Sequence, residues 1–261
     1  MRIMNPETNM NTNTNTNTDT GADNTNSDAD INIDPITLEV TRNAAAAVCE
    51  EMNATLIRTS YSPNIKERQD CSCALFDRDA QMIAQAETIP VHLGAMPFSV
   101  RAAIERFPPS ELNPGDAIAV NDPFAGGAHL PDLTVISPIY SDTDTDTDTD
   151  TDSSDELIGF AANRAHHADI GGAYAGSVAA NSTEIYQEGL RIPPVKLFEA
   201  GEQNTDVFEL ILTNVRTPDE RQGDLRAQKA ANETGRRRFQ ELANRYDSDT
   251  FLAATDAVKN Y

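Results

Sequence analysis

The sequence is short of what several classes of function require. No run approaches the roughly 18 consecutive apolar residues that span a bilayer, and the N-terminus has no apolar core of the signal-peptide kind. Both absences give the expectation of a cytoplasmic chain. Lysine is scarce, with 4 residues against 16 arginines, and the 20 basic residues face 42 acidic ones for a formal charge of -22. Such a balance repels nucleic acid and anionic lipid, so neither a nucleic acid nor a membrane is expected as a partner. The acidic residues are 25 Asp and 17 Glu. Hydrated carboxylates without long lysine stems fit an acidic protein of a salt-rich, halophilic cytoplasm, where screening removes self-repulsion. Cysteine is limited to Cys49, Cys71 and Cys73. An odd number, with the Cys-x-Cys pair inside an alternating apolar run, reads as structural free thiols.

Motifs are missing too. No G-x-x-x-x-G-K-[ST] or G-x-G-x-x-G run occurs, so the chain shows no phosphate loop of its own. Ser60, Ser62 and Ser177 lack a G-x-S-x-G context, which leaves a serine-hydrolase triad without support.

What is present is a core-forming chain of 261 residues, 39% of them apolar, with polar attachments. Residues 1–33 are dominated by Asn, Thr and Asp and read as a disordered tail. A Thr-Asp repeat within 141–155 reads as an acidic surface loop inserted into the folded region, because like charges at every second position repel in a sheet. Asp34 then Pro35 makes an N-cap with proline at the first helical position. Ile36, Val40, Ala44, Val48, Met52 and Leu56 follow at every fourth residue, and predict a long helix with one buried face. Cys71 to Phe76 and Gln81 to Gln85 flank Asp77-Arg78-Asp79-Ala80 as a hairpin. A helix is expected from about Pro97 to Phe107, then strands at Ala117 to Val120, Leu133 to Tyr140 and Leu157 to Ala162. From Asp206 onward the pattern is mainly helical, starting at Thr217-Pro218-Asp219-Glu220, with Arg236-Arg237-Arg238 on a solvated face. The expected class is α+β, a mixed α/β fold of strands and a hairpin between a long N-terminal helix and a C-terminal helical segment. Ser248-Asp249 opens a last amphipathic stretch that lacks a packing partner in the sequence, so part of the fold is expected to be missing.

The four histidines are the best guide to chemistry. His129 lies in a glycine-rich segment, Asn121 to Asp132, that leaves one strand and enters the next. His166 and His167 open His166-His167-Ala168-Asp169-Ile170-Gly171-Gly172 after a third strand. Two His-plus-Asp clusters at strand ends, each beside a Gly-Gly, can converge on one cation, and imidazole plus carboxylate suits manganese, iron and zinc alike. The same residues are also ordinary turn formers, and spacing does not choose between the readings. His92, alone between apolar neighbours, reads as structural.

These motifs in order resemble the hydantoinase B/oxoprolinase family. Asp34-Pro35-Ile36-Thr37-Leu38-Glu39-Val40, Ile65 through Asp77, Pro90 through Met96, Asn121 through Asp132, and His166 through Gly172 all carry the likeness, which runs from residue 34 to 261. The resemblance implies a subunit of an ATP-dependent hydrolase that opens cyclic amides of the hydantoin or 5-oxoproline type. Its partner is a hydantoinase A-type subunit that binds ATP, giving a hetero-oligomer. It also implies a divalent metal, manganese before zinc or iron, on His129, Asp132 and His166. Asp122 and Asp169 are then expected behind these ligands, orienting the imidazoles for catalysis, with His167 in reserve as a ligand. The alternatives within reach are an acetone carboxylase-like subunit and a truncated, non-catalytic assembly module, since family members run to more than twice this length.

Overall fold

In the computed structural model the described residues are 33–86, 88–141, 156–177, 180–246 and 248–258. The tail and the Thr-Asp loop expected from the sequence lie outside them, apart from Ile33 and Ser141.

Helix α1 spans Pro35–Thr59, and the Asp34 carboxylate accepts hydrogen bonds from the Ile36 and Thr37 amides, so the proposed cap is present. Its face differs from the expected one. Ile36 is 75% exposed and Val40 48%, while Thr41, Ala45, Val48, Cys49, Met52 and Leu56 are buried. A strict step of four residues advances about 40° beyond a full turn, so six such positions cannot share one side of a helix with 3.6 residues per turn. The last three of the series are buried, and Ala44 packs at the edge of the same core.

After a short helix α2 (Pro63–Lys66), strands β1 (Cys71–Asp77) and β2 (Met82–Gln85) form the expected hairpin. No glycine is available there, and Ala80 takes the left-handed position at φ 60°. Helix α3 spans Pro90–Arg106 and starts seven residues earlier than proline placement suggested. Pro97 lies inside it, and the lost backbone bond is offset by Met96, Val100 and Ala103, all buried against the sheet. The remaining elements are β3 (Ala117–Val120), β4 (Asp132–Tyr140), β5 (Leu157–His166), β6 (Val195–Glu199), β7 (Glu202–Gln203), α4 (Thr205–Thr213), α5 (Pro218–Ala243) and α6 (Ser248–Val258). Strand β5 runs four residues past the expected Ala162, and β6 and β7 were not expected at all.

The seven strands of the described residues form one antiparallel sheet in the order β2-β1-β5-β4-β3-β6-β7. The class is the α+β arrangement that the sequence predicts. Alternation along β1 sends Cys71, Cys73 and Leu75 to the face covered by α1, α5 and α6, and Ala74 and Phe76 to the face covered by α3. Because helices cover both faces, the central strands are buried along nearly their whole length, polar residues included. Met52, Leu56, Leu75, Phe239 and Phe251 fill the first layer, and each such side chain contributes roughly 1.5–3 kcal/mol by leaving water. All three cysteines are buried free thiols, as expected, and burial pushes that of Cys71 up to about 12. Among the described residues no helix is long and apolar enough to cross a membrane.

Candidate metal centre

Strands β4 and β5 pair so that Asp132 stands opposite His166 and Thr134 opposite Arg164. All four side chains share the α3 face of the sheet: the Arg164 guanidinium donates to Thr134 Oγ1 at 2.8 Å and to Ser99 Oγ of α3 at 2.7 Å. His166, two residues beyond Arg164, therefore points the same way, and its Nδ1 donates to Asp132 Oδ1 at 2.8 Å. His167, the next residue, must point to the opposite face. There its Nε2 lies 2.9 Å from Gln228 Oε1 of α5.

The third member arrives through the loop from β3 to β4. Asn121 ties the loop base, donating to the Leu130 and Leu190 carbonyls and accepting from the Ile192 amide. The chain then doubles back through Gly126, at φ 83°, and Gly127, where a Cβ would stand 2.2 Å from the Asn121 carbonyl oxygen. Asp132 N donates to His129 O at 2.9 Å, and this turn sets His129 Nδ1 3.9 Å from Asp132 Oδ1. The rings of His129 and His166 are stacked with centroids 5.5 Å apart. His129, Asp132 and His166 thus offer one donor atom each within 4.8 Å of one another. Their side chains are 41%, 8% and 19% exposed, so the cluster opens on the His129 side.

Burial alone would raise the Asp132 pKa, but contacts with His129 and His166 and the nearby His92 outweigh it and hold the carboxyl well below the usual range. The same carboxylate raises the pKa of His129 against a smaller opposing effect of burial. Two imidazoles around an ionised carboxylate are a donor set that suits manganese, iron or zinc.

The other expected site residues are not brought into this cluster. Asp122 accepts from the Phe124 amide at 3.0 Å and pairs with Arg191 at 3.5 Å, so it shapes the loop and does not meet an imidazole. Asp169 accepts from the amides of Gly171, Gly176 and Arg216 and from the Arg216 guanidinium, and so organises the turn after β5. His167 is fully buried on the far face, and burial, reinforced by the Arg221 charge, pushes its pKa down to about 4. In the structure these two carboxylates bond within their own loops, and His167 lies in the core on the other face of the sheet.

One residue read as structural lies at the site instead. His92, in the first turn of α3, is buried with its Nε2 3.5 Å from Asp70 Oδ1 and 3.7 Å from Asp132 Oδ2. Its sequence neighbours give no sign of this, since Asp70 and Asp132 come from other elements. Arg164 was legible in principle: had β5 been carried to His166, alternation would have placed it on the His166 side.

The profile of the Hydantoinase B/oxoprolinase family matches residues 34–261. The chain belongs to that family. A 5-oxoprolinase of Dictyostelium discoideum is 39% identical over 221 residues, covering 85% of this chain and 16% of that protein. The crystal structure of ATP-dependent caprolactamase from Pseudomonas jessenii superposes with a TM-score of 0.77 at 37% identity, covering 87% of this chain and 37% of that one. The nucleotide-free structure of acetone carboxylase gives a TM-score of 0.75 over 85% of this chain and 28% of that chain, and at 19% identity that likeness is of fold alone. The chain spans less than two fifths of the length of each of these relatives.

Proposed function

We propose that this chain is the metal-bearing portion of the B-type component of an ATP-dependent hydrolase that opens cyclic amides of the hydantoin or 5-oxoproline type, acting as a cytoplasmic hetero-oligomer with a hydantoinase A-type subunit. The observation that carries the reading is the convergence of His129, Asp132 and His166 from two strand ends and a loop, in a chain whose relatives include enzymes named for such substrates. These three residues would hold a divalent cation, with manganese preferred from the family resemblance. When bound, the ion supplies Lewis acidity toward a carbonyl or phosphoryl oxygen and lowers the pKa of water. The protein's part is to keep two neutral imidazoles and one carboxylate aimed at a common point, with His129 on the open side where a small amide can approach. ATP is assigned to the partner from the family resemblance, with which the sequence's lack of either phosphate-binding loop agrees.

The experiment is reconstitution. Purified with its A-type partner, ATP and Mn(II), the chain should open hydantoin, 5-oxoproline or a related lactam, and alone it should open none. Turnover by the chain alone, or full activity of the His129→Ala variant in the complex, would overturn the reading. Bicarbonate-dependent consumption of a small ketone by the same complex would move the assignment to a carboxylase, and inertness with every substrate to an assembly module.

A further inference from the structure

The two oxygens of Asp132 face different residues. Oδ1 meets His166 at 2.8 Å and His129 at 3.9 Å, whereas Oδ2 is 3.7 Å from His92 Nε2. His92 is almost fully enclosed, at 2% exposure, and belongs to α3, an element that carries none of the three candidate ligands. Its ring is oriented from behind. Ser72 Oγ accepts from Thr88 Oγ1 at 2.7 Å and from the Ile89 amide at 3.4 Å, which uses its acceptor capacity and leaves its own hydrogen to donate to His92 Nδ1 at 3.4 Å. An imidazole that accepts at Nδ1 carries its proton on Nε2, and that nitrogen is the one between Asp70 and Asp132. Asp70 is tied into the same arrangement, since its carbonyl accepts from the His166 amide at 2.9 Å.

We propose that His92 is a positioning residue for the metal site: its Nε2–H, fixed by Ser72 and lying 3.5 Å from Asp70 Oδ1 and 3.7 Å from Asp132 Oδ2, attracts Asp132 Oδ2 electrostatically, so that Asp132 presents Oδ1 to the cation. The inference rests on the metal reading given above and adds to it a residue that touches no ligand except Asp132. Polar groups behind a metal-binding carboxylate orient it, and losing one typically costs 10–100-fold in metal affinity. The role given to Asp122 and Asp169 from the sequence thereby passes to His92.

Mn(II) alone is the probe, titrated into the full chain and followed by the paramagnetic resonance of free and bound ion, with thermal unfolding in chelator as the control for fold. His92→Phe keeps the ring's volume and removes the donor. His92→Gln keeps a donor toward Asp132 and an acceptor toward Ser72. The expected result is a fall in affinity of about 10–100-fold with an altered bound-ion spectrum for the Phe variant, and substantial rescue by Gln. Should the Phe variant fail to fold, Ser72→Ala tests the same chain of contacts and is expected to weaken binding with unfolding in chelator little changed. Wild-type affinity in both His92→Phe and Ser72→Ala overturns the proposal, as does an equal loss in the Phe and Gln variants that merely tracks a lower unfolding temperature. A wild-type chain that binds no Mn(II) sinks the metal reading and His92 with it, which is distinct from a wild type that binds while its His92 variants bind equally well.

Discussion

Asp132 and His166, separated by 34 residues in sequence, are direct partners across the β4–β5 ladder, and their side chains meet at 2.8 Å. Ladder pairing fixes this contact, so the strand register and the candidate metal site are one structural fact. A one-residue slip would turn His166 away and bring His167 forward.

The first prediction separates these adjacent histidines. His166→Ala and His129→Ala should each abolish stoichiometric Mn(II) binding, because two donors are too few to retain the ion through gel filtration. His167→Ala should keep it while losing stability by about 1–3 kcal/mol, since Gln228 is left with a buried, unpaired acceptor. Metal analysis after desalting, paired with urea unfolding, reads both; retention of the metal by His166→Ala defeats the assignment.

Acid sensitivity follows from His167. Its pKa is about 4 in the folded protein and about 6.5 unfolded. Above pH 6.5 the group is neutral in both states and its contribution is fully present. As pH falls from 6.5 toward 4 the unfolded state takes up a proton that the folded state refuses, so stability declines, and below 4 the loss levels off. At about 1.4 kcal/mol per unit the full loss is on the order of 3 kcal/mol. Denaturation midpoints compared at pH 7 and 5 for the wild type and His167→Gln should differ in slope, and parallel slopes would refute the attribution.

A third test concerns the loop that delivers His129. Gly127→Ala forces a Cβ to within 2.2 Å of the Asn121 carbonyl oxygen, so the backbone must shift. We expect a loss of about 1–3 kcal/mol together with weaker Mn(II) binding. An unchanged metal affinity would mean that the loop can relax without moving His129.

The fourth prediction lies away from the metal. Arg221 and Asp224 form a fully buried pair at 2.9 Å, and the other Asp224 oxygen accepts from the Tyr61 and Ser62 amides, joining α5 to the end of α1. Asp224→Ala leaves a buried guanidinium uncompensated and should cost about 3–5 kcal/mol in chemical denaturation. A loss below about 1 kcal/mol would show that water or Glu220 takes over the charge.

Local chemistry made much of this protein legible from its residues. Asp34-Pro35 marks the start of α1, runs of β-branched and apolar residues mark β1, β3 and β4, and the His129-to-Asp132 spacing is a turn whose ends meet. Each of these depends on neighbours in the chain, and capping, periodicity and turn preference act over only a few residues. Tertiary structure decided the rest. Which of His166 and His167 joins Asp132 depends on the face that β5 turns toward α3, and no pattern within His166-His167 encodes it. His92 becomes part of the site only because packing of α3 on the sheet carries it to Asp70 and Asp132. The true buried side of α1 is likewise set by where α5 crosses it. Contacts between elements far apart in sequence arise from the joint burial of surfaces, and burial is a property of the assembled layers that no single segment carries.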